Sequence, residues 1–313
     1  MASEPKRLTE TAEQTARPHE SYLGWAVAQG RSAWRVAEYS AVYLALLAVA
    51  EVLIVQSVLS LPVSPAPVVV GLITFAIYAN DRIIDLESDW TSSPRRSAFI
   101  HRHKGLLSVF AALSYGVAVA LSVLGGPVAF GLTILPGVAW VTYAINWLPG
   151  ISTSVDRLKE VIVLNSLVVA GAWSLAVVLL PLAYADSSLT PAVGVILLYY
   201  VLAVFVDTEI ANVGDIESDR NIGVSTVPTA LGLEGTRRCL YVITVFLAVV
   251  LAVAAFAGLL TVKAAAVLSL GVATLLLVTS LLGRVERHDR LTVAAECSRL
   301  PVLVALAVPF VAW

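Results

Sequence analysis

The chain has 313 residues, of which 58% are hydrophobic and only 13% are charged, about half the charged fraction of an ordinary soluble domain. That leaves too little polar material to cover a water-exposed surface, so the composition points to a protein that lives in lipid. The formal net charge of -2 supplies no basic face for nucleic acid. The two cysteines, Cys239 and Cys297, stand in no CxxC or Cys/His cluster and so indicate neither a disulfide framework nor a zinc site.

In chain order, residues 1–38 are polar and lack the charged start, apolar core and small-residue cleavage site of a secretory signal. They read as a cytoplasmic tail that ends in an interfacial helix around Trp25 to Trp34. Residues 39–313 read as a single transmembrane domain. A spanning helix needs about 20 mainly apolar residues, and nine stretches qualify. They are Tyr39–Leu61, Ala66–Asn80, Gly105–Leu124, Val128–Trp147, Val161–Ala183, Pro191–Val213, Leu240–Leu259, Val262–Leu282 and Leu300–Trp313. The second and the last are short. Runs of Val, Leu and Ala without polar alternation exclude a transmembrane barrel. The expected fold is therefore all-α.

Of the 20 Lys and Arg, only Lys263 falls in a connection after an odd-numbered span; the other 19 lie in the tail and the even connections. Positive residues collect on the cytoplasmic side. The expected orientation is a cytoplasmic N-terminus and an external C-terminus in a multi-pass protein of the cell membrane.

Two connections stand out. After the second span the chain reads YANDRIIDLESDW, and after the sixth DTEIANVGDIESDRNIGVSTVP. The core Asp85–Asp89 recurs as Asp215–Asp219, 130 residues later and at an equivalent place in the topology, as in an internal repeat. Asp81, Asp85 and Asp89 are spaced by four and would form one stripe on a helix. Asn212, Asp215 and Asp219 would form another. Like charges so placed repel, which calls for a compensating cation. Oxygen ligands of this kind suit Mg²⁺, which binds through a few carboxylates together with substrate phosphates. Arg95 and Arg96 follow the first stripe and Arg220 the second, and a guanidinium can grip phosphate oxygens with a bidentate fork. Asn80, Arg82, Tyr143, Asn146 and Asn165 flank the same connections and are candidates for substrate contact. Glu51, in the middle of the first span, is costly at that depth and should face the bundle interior. Asp207, near the end of the sixth span, is assigned to the same polar site.

These features resemble the UbiA superfamily of intramembrane prenyltransferases over nearly the whole membrane part. In the second motif Asp215, Asp219, Arg220, Gly223, Thr226, Val227, Pro228 and Gly232 follow the family pattern DxxxDRxxGxxTxP with a later Gly. Asn165 to Trp173 is similar to the start of the family's fifth helix. The first motif departs from the family's NDxxDxxxD: with Asp85 and Asp89 in register, Asp81 stands where Asn is usual and Arg82 where Asp is usual.

The resemblance implies nine transmembrane helices around a central cavity, capped on the cytoplasmic side by the loops after the second and sixth. It implies Mg²⁺ held by Asp81, Asp85, Asp89, Asp215 and Asp219, with Asp85 and Asp215 central to catalysis. Arg157 and Lys159 would replace the lysine of the family's YxxxK element. Asn80, Arg82, Arg95, Arg96, Asn146, Asn165, Asn212, Arg220 and Glu51 would contact substrate. The partners implied are an isoprenoid diphosphate, a lipophilic acceptor and membrane lipid. The alternatives are a terpene cyclase on the same scaffold and a secondary transporter built around a repeat. Aspartate at 85 and 89 favours transfer over cyclisation, because the cyclase branch replaces motif aspartates with Ser and Glu. An aromatic content of 8% and helix centres of Val, Leu and Ala lead to an aliphatic cavity lining, which suits a prenyl tail.

Overall fold

The computed structural model describes residues 18–87, 90, 93–144, 164–222, 224–285 and 287–308. Within these the fold is helical throughout. The helices are α1 Pro18–Tyr39, α2 Val42–Val58, α3 Ala66–Ile84, α4 Pro94–Ser122, α5 Gly126–Ala144 and α6 Leu164–Tyr184. After these come α7 Pro191–Asn212, α8 Ile216–Ile222, α9 Val227–Phe256, α10 Val262–Leu281, α11 His288–Glu296 and α12 Leu300–Ala307. Short 3₁₀ turns at Val123–Gly125, Val213–Asp215 and Cys297–Arg299 join α4 to α5, α7 to α8 and α11 to α12.

Helix starts follow local chemistry. Thr190, Thr226 and Thr261 sit in extended conformation and their hydroxyls accept the backbone N–H of Val193, Thr229 and Ala264, satisfying donors that the first turn leaves open. Pro occupies the first turn of α3, α4, α7, α9 and α12, where its missing N–H costs nothing. Between α2 and α3 the backbones approach closely. A Cβ at Gly71 would fall 2.6 Å from Val49 Cγ2 and 3.2 Å from the Ala45 carbonyl oxygen, the small-residue packing that lets membrane helices associate.

The long helices touch in sequence order from α2 to α7. Then α7 packs on α9, α9 on α10, α10 on α12, and α12 returns to α2. The ring is closed, and α6 also reaches α2 and α3 across it. The largest buried side chains, among them Tyr199, Tyr200, Ile54, Leu180, Leu247 and Leu268, fill the space between these elements.

Among the described residues, six helical stretches are long and apolar enough to cross a membrane, or seven if the bent pair formed by α1 and α2 is taken as one. This is fewer than the nine expected from the sequence, for three local reasons. α2 has 17 residues, at the short end of spanning length, and it is counted only with α1 as a bent pair. The 45-residue stretch Pro94–Val138 is one helical run that holds both α4 and α5. These two fold back on each other, and the Tyr115 hydroxyl donates to the carbonyls of Thr133 at 3.3 Å and Ile134 at 3.1 Å. The last expected span is described only to residue 308, and α12 within it has 8 residues.

Candidate functional site

Both acidic motifs lie where a long helix ends. α3 stops at Ile84, with Asp81 in its last turn and Asp85 at its C-cap, the Asp85 N–H bonded to the Asp81 carbonyl at 2.9 Å. Residues 85–87 are a turn, so Asp81 and Asp85 share the end of a helix rather than a stripe along one, which corrects the expectation from spacing. The cause is electrostatic. A helix C-terminus carries partial negative charge, and stacking further carboxylates on it is unfavourable. Asp89 lies outside the described residues.

The second motif is folded more tightly. α7 ends at Asn212, a 3₁₀ turn carries Asp215, and α8 carries Asp219. The Glu209 carboxylate accepts the Val227 N–H at 3.1 Å and the Asn212 amide at 3.3 Å, and the Asn212 amide also reaches Ser166 Oγ at 3.3 Å. Arg220 donates to the Thr229 carbonyl at 3.3 Å. The loop between α8 and α9 is thus tied to α7 at one end and to the first turn of α9 at the other. Burial, and after it the neighbouring Asp215 carboxylate, push Asp219 up to about 6.

The space below the motifs is a cavity of about 200 Å³ inside the ring. Tyr78, one turn before Asp81, and Ala211, one turn before Asp215, both line it. Its wall holds a charge cluster. Arg299 forms ion pairs with Glu51 through Nε and with Asp207 through Nη2, the latter at 2.6 Å. Trp173 Nε1 donates to the second Glu51 oxygen at 2.5 Å, and the Tyr200 hydroxyl donates to the Glu51 carbonyl at 3.1 Å. Glu51, Asp207 and Arg299 are 2%, 5% and 5% exposed. Glu296, also on this wall, accepts the Tyr43 hydroxyl at 2.6 Å.

A second, larger cavity of about 680 Å³ lies on the other side of α3, between α3, α4 and α5. Its lining is aliphatic and small, from Ala76, Ile77, Ala111, Val119 and Ile134, with the Tyr115 ring, and Asn80 stands at its polar edge. The Asn80 amide donates to the Ala76 carbonyl at 2.9 Å.

The other expected site residues fall apart from these. Arg82 donates to the Glu38 carbonyl and thereby fastens α3 to α1. Arg95 lines a separate basic cavity with α1, and Arg96 is half-buried in the first turn of α4. Tyr143 and Asn165 are described only by their backbone, in α5 and α6, and Asn146, Arg157 and Lys159 lie outside the described residues. Reading the sequence placed Glu51 and Asp207 correctly inside the bundle but missed their partner. Arg299 had been counted among the loop cations, whereas it is buried between them. The available signal was stoichiometric: two acids at bilayer depth call for a cation, and Arg299 stands directly before the last apolar stretch. Trp173, the end of the stretch that resembles the family's fifth helix, lies in the interior beside Glu51.

Among the described residues no group of three or more His, Cys, Asp or Glu side chains converges closely enough to hold a metal ion by itself. This fits Mg²⁺, which is usually held by one or two carboxylates plus substrate phosphates instead of an all-protein cage. The hard-oxygen donors at the two helix ends are of the right kind.

Comparison with known proteins bears on the fold and the family. The structure is similar to an apo UbiA homologue from Aeropyrum pernix K1, at 17% identity and a TM-score of 0.66 over 86% of this chain and 99% of that one. It is similar to a digeranylgeranylglyceryl phosphate synthase at 14% identity and a TM-score of 0.54, over 87% and 94% of the two chains. It is also similar to a UbiA homologue from Archaeoglobus fulgidus bound to DMAPP and Mg²⁺, at 12% identity and a TM-score of 0.54, over 86% and 98%. No curated protein sequence matches the chain. The profile of the UbiA prenyltransferase family matches residues 41–300, a segment that runs from the start of α2 through both acidic motifs to the start of α12, and the chain belongs to that family.

Proposed function

We propose that this protein transfers a prenyl group from an isoprenoid diphosphate to a lipophilic acceptor within the membrane. The observation that carries the proposal is the convergence of both motif-bearing helix ends on one interior cavity, which Tyr78 from α3 and Ala211 from α7 both line. Asp81 and Asp85 from α3 and Asp215 and Asp219 from the α7–α8 turn would hold Mg²⁺, joined by Asp89. Bound there, Mg²⁺ neutralises the diphosphate as leaving group. Arg220, exposed at the mouth, contributes a fork for phosphate oxygens, with Arg157 and Lys159 as further cations.

The interior does the rest. Its apolar walls keep water from the allylic cation, and fixed dipoles stabilise it. Two spaces of unlike polarity flank α3, an aliphatic one of about 680 Å³ and a polar one of about 200 Å³. Transfer between two lipophilic substrates needs two such spaces. Support for the reaction class comes from the family, from a relative named as a prenylglyceryl phosphate synthase and from a homologue that binds DMAPP and Mg²⁺. The orientation that suits the mechanism has both motifs facing the cytoplasm.

Cyclisation on the same scaffold is the second reading, and one observation favours it. Tyr78 and Trp173 meet edge to face, with centroids 6.1 Å apart, in the wall of the smaller cavity, where ring faces can stabilise a cation. The deciding experiment incubates the purified protein with Mg²⁺ and a panel of prenyl diphosphates, with and without a lipid extract, and measures pyrophosphate and organic product. Turnover that requires the extract supports transfer. A cyclic product formed over many turnovers without it overturns transfer, and absence of pyrophosphate under all conditions overturns both.

A further inference from the structure

A cavity of about 1090 Å³ lies between α1, the start of α4 and the α10–α11 connection. Five arginines line it: Arg31 and Arg35 from α1, Arg95 from α4, and Arg287 and Arg290 at the start of α11. Two acids, Glu38 and Asp289, accompany them. Among the described residues none of these five guanidinium groups is in an ion pair, in contrast to Arg237, Arg238 and Arg299. Concentrating five unpaired cations around one concavity is unfavourable unless an anion enters it.

The walls are held in place. Arg82 donates to the Glu38 carbonyl, Trp34 packs on Tyr43 with ring centroids 5.8 Å apart, and Tyr39 packs on Phe99 at 5.8 Å. On α1 the side facing the cavity alternates arginine with Gly24, Ala28 and Gly30, so the small residues leave room and the long ones reach in. α1 meets α2 at 81°. With α2 crossing the bilayer, α1 therefore runs along its surface, at the level where phospholipid headgroups sit. Trp25 and Trp34, 64% and 45% exposed, are the side chains that favour that level. The cavity is at the same end of the bundle as the acidic motifs, since α11 packs against the Val213–Asp215 turn.

We propose that this cavity is a binding site for an anionic phospholipid, with the phosphate held among Arg31, Arg35, Arg95, Arg287 and Arg290 and the acyl chains in the bilayer beside α1. Basic pockets between membrane helices take lipid headgroups through charge and through guanidinium forks.

The test is native mass spectrometry of the full chain in detergent with equal amounts of phosphatidylglycerol and phosphatidylcholine of the same acyl chains. The phosphatidylglycerol adduct should dominate, and each arginine removed in the triple variant Arg31→Gln, Arg35→Gln, Arg290→Gln should cut the preference about fivefold. The thermal midpoint of that variant in phosphatidylcholine alone checks its fold. Should it not fold, Arg31→Gln alone gives the same reading at about fivefold. The pair Arg102→Gln, Lys104→Gln, exposed on α4 outside the cavity, should keep the preference. Equal occupancy by the two lipids, retention of the preference in the arginine variants, its loss in the Arg102 and Lys104 pair, or displacement of the lipid by inorganic phosphate at the same concentration would each overturn the proposal.

Discussion

The two acid-bearing regions of this protein solve the same electrostatic problem in opposite ways. At the mouth, Asp81, Asp85 and Asp215 are exposed at helix ends, and burial, with Asp215 repulsion after it, raises Asp219 to about 6. Inside the bundle, Glu51 and Asp207 are as buried as any apolar side chain, yet Arg299 lies between them and Trp173 closes the far Glu51 oxygen. The inner cluster carries its own cation, and one Asp207 oxygen in it is left without a hydrogen-bond partner. The outer acids stand in water at the ends of α3 and α7. A buried charge must be matched within the fold because its desolvation cost is continuous, whereas an exposed group can wait in water.

Breaking the inner cluster should have the largest effect. Arg299→Gln leaves two buried carboxylates facing each other and should destabilise the protein by about 3–5 kcal/mol, read as a fall in thermal midpoint in detergent. Replacing all three together, Glu51→Gln, Asp207→Asn and Arg299→Met, should restore most of it; failure to do so would mean the loss is not caused by the carboxylates left without their shared cation. At the mouth the effect should be on rate alone. Asp215→Asn is expected to lower pyrophosphate release about a hundredfold or more with the thermal midpoint unchanged, and a chelator should mimic it. Equal stability loss in both regions would remove the distinction between them. Trp173→Phe, which deletes one hydrogen bond to a buried carboxylate, should cost about 1–3 kcal/mol. The smallest effect is Thr226→Ala, which removes the reciprocal cap of α9 and should cost about 1 kcal/mol in the same unfolding assay.

Sequence carried the outer region well and the inner one in part. Hydropathy marks each long helix because spanning is a property of a contiguous segment. The recurrence of Asp85–Asp89 at Asp215–Asp219 needs only a comparison along the chain. What spacing could not tell is where α3 stops, since Ile84 continues a good helical pattern and the end is set by charge at its terminus. Nor could it pair Arg299 with Glu51 and Asp207. Those residues come from three segments that meet only when α12 closes the ring against α2. A buried arginine and a loop arginine are identical in composition, and only the packing of α7, α11 and α12 distinguishes them.

The corner between α1 and α2 has a mechanical consequence. Ala41, fully buried, turns the chain with a left-handed φ of 67°, a conformation that costs a non-glycine residue about 1–2 kcal/mol and is kept only where the surroundings enforce it. α2 beyond it has 17 residues, about 26 Å at 1.5 Å per residue, slightly less than the hydrocarbon thickness of about 30 Å. A surface helix fixed at a right-angled bracket to a short strut works as a depth stop. It keeps the bundle from sinking, and because Arg82 bolts the bracket to the end of α3, the acidic rim is held at the level of the surface helix with the interior cavity beneath it. A substrate with a charged head and a greasy tail is then sorted end for end by the bilayer itself before any side chain touches it.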